Sequence, residues 1–207
     1  DQIKRFFTKK NKIKEIYSKR IEKIFKCPAY AQKPFFSLKD GVIGENYKSK
    51  IKRVVNWLKD NKSDYLFISS PENVAWLLNI RGFDNPHSPI PNSRLLLSDK
   101  GKIFFFSEQN VCKKLILEKK LSSNQIVDKK KFKKFLDNLK KNKICIDRKS
   151  CSLFFENIFK KKFKIFKKED PIYHFKSIKN RVEIKGMIDS HILDGVALTK
   201  FLYWMKK

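Results

Sequence analysis

The side chains best suited to chemistry gather in one stretch, Asn79 to Pro91, which three prolines stiffen. There Arg81 offers a guanidinium, Asp84 a carboxylate and His87 an imidazole. Arg81 and Asp84 either face a ligand or partner, or pair with each other and fix the loop; the residues leave both readings open. His87 reads as a loop histidine with a satisfied hydrogen bond rather than as an acid or base. A long, rigid loop is usually functional or packed against something.

Other chemistries find little support. Cys27, Cys112, Cys145 and Cys151 show no C-x-x-C spacing, and His87, His174 and His191 form no short ligand cluster with them, so a zinc site is not expected. Cys112 and Cys145 sit in apolar stretches and read as reduced, buried thiols. Glu183 and Asp194, on a lysine-rich helix, read as solvated partners of nearby lysines. His191 with Asp194 lacks a third ligand. Gly41-Val42-Ile43-Gly44 lacks the pattern of a phosphate loop and reads as a turn.

The loop needs a scaffold, and the flanking sequence supplies one. Tyr47 to Asn61 puts Ile51, Val54, Val55 and Leu58 on one face and lysines on the other, a surface helix packed on a sheet. Tyr65 to Ser69 is a short buried strand. Ser70 as N-cap, with Pro71 at the first helical position, starts a helix through Leu78 in which Trp76 is expected in the core. Leu95–Leu97 and Ile103–Phe106 flank a turn and read as a β-hairpin. Helices and strands then alternate: helix 108–119, strand 125–127, helix 131–139, strand 144–147, helix 151–159 and strand 163–165. The alternation implies an α/β domain with helices on both faces of a mixed sheet. Residues 180–207 form one long amphipathic helix, and residues 1–26 one or two more, followed by a linker that carries Pro28 and Pro34.

The 207 residues suffice for one well-buried domain with appendages. A hydrophobic share of 41%, with 19 phenylalanines, demands a packed core. No apolar run is long enough for a membrane helix, and the opening residues lack a signal-peptide pattern, so a soluble, cytoplasmic protein is expected. The chain begins without Met and ends inside the apolar run Phe201–Met205, and both ends are expected to be cuts. A formal charge of +28 invites a nucleic-acid reading. The excess is lysine spread along the chain, however, whereas base and bidentate phosphate recognition favour arginine. Scarce glycine with abundant Lys, Ile, Asn and Phe reads as the drift of an AT-rich genome, acting on surface positions.

Three segments carry a resemblance. Pro71-Glu72-Asn73-Val74-Ala75-Trp76-Leu77-Leu78-Asn79-Ile80-Arg81-Gly82-Phe83-Asp84, ending in His87-Ser88-Pro89, resembles the signature of the second domain of three-domain Xaa-Pro aminopeptidases. Lys179 to Met187, continuing from His191 to Leu198, is similar to the opening helix of that family's catalytic domain, and Pro34–Leu38 to the hinge between its first two domains. Phe83 and Ser88-Pro89-Ile90-Pro91 depart from the usual pattern. The resemblance implies a three-layer creatinase N-terminal-like fold, with residues 1–34 the tail of a preceding domain and linker, 35–178 the middle domain, and 179–207 the first helix of a truncated pita-bread domain. It implies a cytoplasmic metallopeptidase that removes the residue before proline at two Mn2+ ions. The ligands of those ions follow the closing helix, so this stretch is expected to hold no metal and to be inactive alone. Implied partners are its own catalytic domain, proline-containing peptides and a second copy in a homodimer, with no specific nucleic acid and no membrane. Arg81, Asp84 and His87 would line the substrate or subunit side. The alternatives are a basic nucleic-acid-binding α/β module and a catalytically inactive homologue.

Overall fold

The computed structural model describes residues 24, 33–85 and 87–207. The chain divides into two units, Asp1–Ala31 and Gln32–Lys207. The helices expected over residues 1–26 and most of the linker lie outside the described residues.

The second unit is built on a six-stranded sheet. Its strands are β2 (Tyr65–Ile68), β4 (Arg94–Ser98), β5 (Ile103–Phe106), β6 (Ile126–Val127), β7 (Lys143–Ile146) and β8 (Lys164–Lys167), in the order β6-β5-β4-β2-β7-β8. The β2–β4 and β4–β5 pairs are antiparallel, whereas β5–β6, β2–β7 and β7–β8 are parallel. Two short strands, β1 (Phe36–Ser37) and β3 (Ile80–Arg81), form a separate antiparallel ladder that the sequence did not announce.

Burial on both faces explains why β2 is a continuous apolar run. Leu66 and Ile68 point into one hydrophobic cluster and Tyr65 and Phe67 into the other. The first cluster is closed by α2 (Tyr47–Asp60), α3 (Pro71–Leu78), α4 (Gln109–Leu117) and α7 (Pro171–Ser177), the second by α5 (Phe132–Asp137) and α6 (Leu153–Lys160). The body is therefore a three-layer α/β fold. Phenylalanine is a core-building choice here rather than surface drift. Phe67 meets Phe159 at 4.8 Å between ring centroids, and Phe106 meets Phe132 at 4.7 Å, both edge-to-face. The β4–β5 hairpin closes where Gly101 adopts φ 76°, a conformation that favours glycine, while Ser98 Oγ accepts from the backbone N–H groups of Lys100 and Lys102.

Several local readings are corrected. Residues 41–44 are not a bare turn: Asp40–Ile43 form one helical turn, α1, capped by Gly44. Ser70 stands at the N-cap of α3 but makes no capping bond, because its hydroxyl accepts from Tyr173 Oη at 3.1 Å. Glu183 is not merely a solvated side chain: it accepts from the Asn180 N–H while Asn180 accepts from Val182 and Glu183, a capping box that starts α8 (Arg181–Lys206).

That helix is 26 residues long and buries none of them. Its exposed apolar residues, among them Ile188, Leu193, Val196, Phe201, Leu202 and Trp204, are spaced all round the helix rather than along one stripe, so α8 is not the amphipathic helix expected. Polar residues such as Lys185, Asp189, Asp194 and Lys200 stand among them, yet so many exposed apolar side chains on one helix are a surface that another protein layer can cover. Among the described residues its start is anchored where Asn180 Nδ2 donates to the Ile43 carbonyl of α1 at 2.7 Å.

Candidate functional site

The loop that holds the candidate residues leaves α3 through Asn79, which takes the left-handed conformation at φ 55°. Asparagine tolerates that conformation, and here its side chain is fully used. Asn79 Oδ1 accepts from Lys50 Nζ at 2.8 Å, its Nδ2 donates to the Glu45 carbonyl, and its own carbonyl accepts from the Leu38 N–H. The turn thereby delivers Ile80 and Arg81 into pairing with Ser37 and Phe36.

Beyond β3 the backbone stitches itself. The Gly82 N–H donates to the Pro89 carbonyl, and Asp84 Oδ2 accepts from the Asn92 N–H at 2.6 Å. The His87 N–H donates to Asn85 Oδ1, leaving the exposed imidazole outside the network. Arg81 is half-buried; its Nη1 donates to the Ile80 carbonyl at 2.8 Å, and burial holds its pKa below the usual guanidinium value. Among the described residues no hydrogen bond or ion pair joins Arg81 to Asp84 or His87, so the pairing of Arg81 with Asp84 is not observed. Phe83 stacks on Phe36 at 5.3 Å.

Sequence reasoning missed the base of this loop. Lys50 is 1% exposed, donates to the Trp76 carbonyl and Asn79, and sits 4.0 Å from the centroid of the Trp76 ring. Burial pushes its pKa down to about 8, against the pull of Glu45 and Glu183. Its ammonium meets the carbonyl end of α3, where a cation is favoured. Arg53 pairs with Glu45 at 2.6 Å and lies over the rings of Trp76 and Phe175. Trp76 is thus half-buried and a platform for two cations rather than a plain core residue. The signal for Lys50 was present: it stands four residues before Val54 and eight before Leu58, on the buried stripe of α2.

A second polar group joins α3 to the start of α7. Asp170 accepts from Asn73 Nδ2 and from the Ile172 N–H, and Asn73 Oδ1 accepts from Lys176. Burial pushes the Asp170 carboxyl up to about 6. Cys112 and Cys145 are buried and free, as expected; burial raises their pKa values to about 11 and about 12, leaving them as unreactive thiols.

The described residues contain no group of three His, Cys, Asp or Glu side chains that could hold a metal ion. They do not fit a dinuclear centre, and no step of hydrolysis is assigned to them. No helix among them is long and apolar enough to cross a membrane.

A family model described as the creatinase/prolidase N-terminal domain matches residues 26–183. The chain belongs to this family. Xaa-Pro aminopeptidase 1 of Dictyostelium discoideum is 29% identical over 180 residues, covering 87% of this chain and 28% of its own length. The Drosophila melanogaster Xaa-Pro aminopeptidase ApepP is 28% identical over 158 residues, covering 72% of this chain and 25% of its own length. An X-prolyl aminopeptidase from Caenorhabditis elegans, described as a cytosolic enzyme with a di-nuclear active site, shares the fold at a TM-score of 0.73 and 21% identity, over 87% of this chain and 30% of the other. The chain therefore spans between a quarter and a third of the length of these relatives. The creatinase N-terminal-like architecture expected from the loop signature is the one observed.

Proposed function

We propose that this chain is the non-catalytic, N-terminal-side portion of an Xaa-Pro aminopeptidase, a hydrolase releasing the first residue from peptides with proline second. The observation that carries the reading is the 29% identity to an Xaa-Pro aminopeptidase across nearly the whole of this chain. In this reading residues 1–34 end a preceding domain, 35–178 form the family domain, and 179–207 open a catalytic domain that brings two Mn2+ ions on its own ligands. The many apolar residues exposed on α8 support that division, because a further protein layer would remove them from water. The loop carrying Arg81, Asp84 and His87 meets the peptide or the second subunit of a homodimer. Arg81 suits that role, since no carboxylate among the described residues occupies its fork. A cytoplasmic setting accords with the description of the nematode neighbour.

The test is a turnover assay with Mn2+ on an Xaa-Pro dipeptide and on the same dipeptide with alanine in place of proline. The full protein that contains this chain should hydrolyse the first alone, and the pure 207-residue chain neither. Turnover by the chain by itself, or none by the full protein, contradicts the proposal.

A further inference from the structure

A cavity of about 300 Å³ opens between β5, α5 and α6, on the face of the sheet away from α3 and its loop. Its floor is aromatic: Phe106, Phe132 and Phe155 stack edge to face, with Phe132 to Phe155 at 5.3 Å, and Ile158 completes it. Phe154, at the mouth, is 67% exposed although it touches Phe155 at 5.2 Å. The rim is cationic. Lys129 and Lys130 come from a 3-10 turn whose start is capped by Asp128, Lys133 from α5, and Arg94 from the first position of β4. No Asp or Glu lines the cavity.

Arg94 is the informative member. Its guanidinium lies 4.9 Å from the Phe155 centroid, partly withdrawn from water, with no hydrogen-bond or ion-pair partner among the described residues. Its donors are left to water and are free to be taken up by an anion that enters the cavity, and a charge-assisted bond in this partly desolvated setting is stronger than one in open water. Other charges nearby are already engaged: Glu156 is held by Lys160 and Lys167.

We propose that this cavity binds a small amphipathic anion, an aryl-alkyl carboxylate whose ring lies on the phenylalanine floor and whose carboxylate pairs with Arg94 and the lysine rim. The volume is at the small end of ligand pockets, which suits a single ring and a short chain rather than a folded peptide segment. The site is separate from the Arg81 loop and does not rest on the peptidase reading.

The experiment is an NMR titration of the 15N-labelled chain with 4-phenylbutyrate, its neutral amide and acetate. Saturable shifts are expected at Phe106, Lys130, Phe132 and Phe155 with the carboxylate, and binding at least about tenfold weaker for the amide and for acetate. Arg94→Met should weaken the carboxylate about tenfold and leave the amide unchanged. Should that variant misfold, the combined Lys129→Gln, Lys130→Gln and Lys133→Gln variant, at exposed positions, should show the same selective loss. Shifts confined to α8, equal affinity for carboxylate and amide, or no saturation would overturn the proposal.

Discussion

Replacing Gly82 with alanine probes the candidate loop through one added carbon. An ideal Cβ there would stand 2.9 Å from Phe35 Cδ1, 2.9 Å from Pro91 Cα and 3.0 Å from Pro91 Cβ. Phe35 is 1% exposed and braced edge-to-face by Phe105, and Pro91 is buried, so neither can step aside cheaply. Gly82 is absent from the positive-φ positions, so alanine adds no backbone strain and the whole effect is steric. Overpacking of this kind costs about 1–3 kcal/mol. The stiffer unfolded chain returns about 0.4–1 kcal/mol, leaving a net loss of about 1–2 kcal/mol. For a domain of this size that is a fall in melting temperature of about 2–8 °C. Gly41→Ala is the matched control: nothing lies within 4 Å of its Cβ, so it should lose nothing. The assay is urea unfolding and thermal melting of the three proteins, with hydrogen exchange read over residues 80–91. If Gly82→Ala is as stable as Gly41→Ala, the loop does not close on Phe35 and Pro91 as described.

Three further outcomes are expected. Asp170, at about 6 in the fold against 3.8 unfolded, stays protonated while the unfolded carboxyl ionises; stability should therefore fall by on the order of 2–3 kcal/mol as pH rises from about 4 to 6, and Asp170→Asn should abolish that slope in pH-dependent urea melts. Asn180→Ala removes two capping acceptances and the bond to Ile43, so it should cost about 1–2 kcal/mol and release the start of α8, read as faster amide exchange at residues 181–185. The lysine excess should give weak binding to random-sequence DNA that disappears with added salt and shows no base preference; a tight sequence-selective complex that persists at about 0.2 M salt would favour the nucleic-acid reading instead.

Much of the body was legible because its signals are local. Four-residue apolar runs such as Tyr65–Ile68 imply strands buried on both faces, and the Asp99–Lys102 turn between two such runs implies a hairpin. What stayed hidden depends on partners distant in sequence. Ser70 looks like a cap until Tyr173, far along the chain, claims its hydroxyl. The β1–β3 ladder is two residues long on each side, too short to show a period, and depends on the left-handed turn at Asn79. Arg81, Asp84 and His87 were visible as unusual residues in a rigid loop, but their bonding was not. Asp84 turns to the Asn92 backbone because that N–H lies within reach once the loop folds back, which composition cannot reveal. Lys50 was misjudged by residue type, although its position in the helical repeat marked it as buried.

The proposed function requires α8 to be an internal helix of a larger protein. Hydrogen–deuterium exchange over residues 187–205, in the 207-residue chain and in the full protein that contains it, tests this directly. Exchange should be fast in the chain and at least about a hundredfold slower in the full protein, as for amides that open only with the surrounding fold. Equal, rapid exchange in both would mean that no further layer covers the helix, and the placement of this domain against a catalytic partner would be wrong.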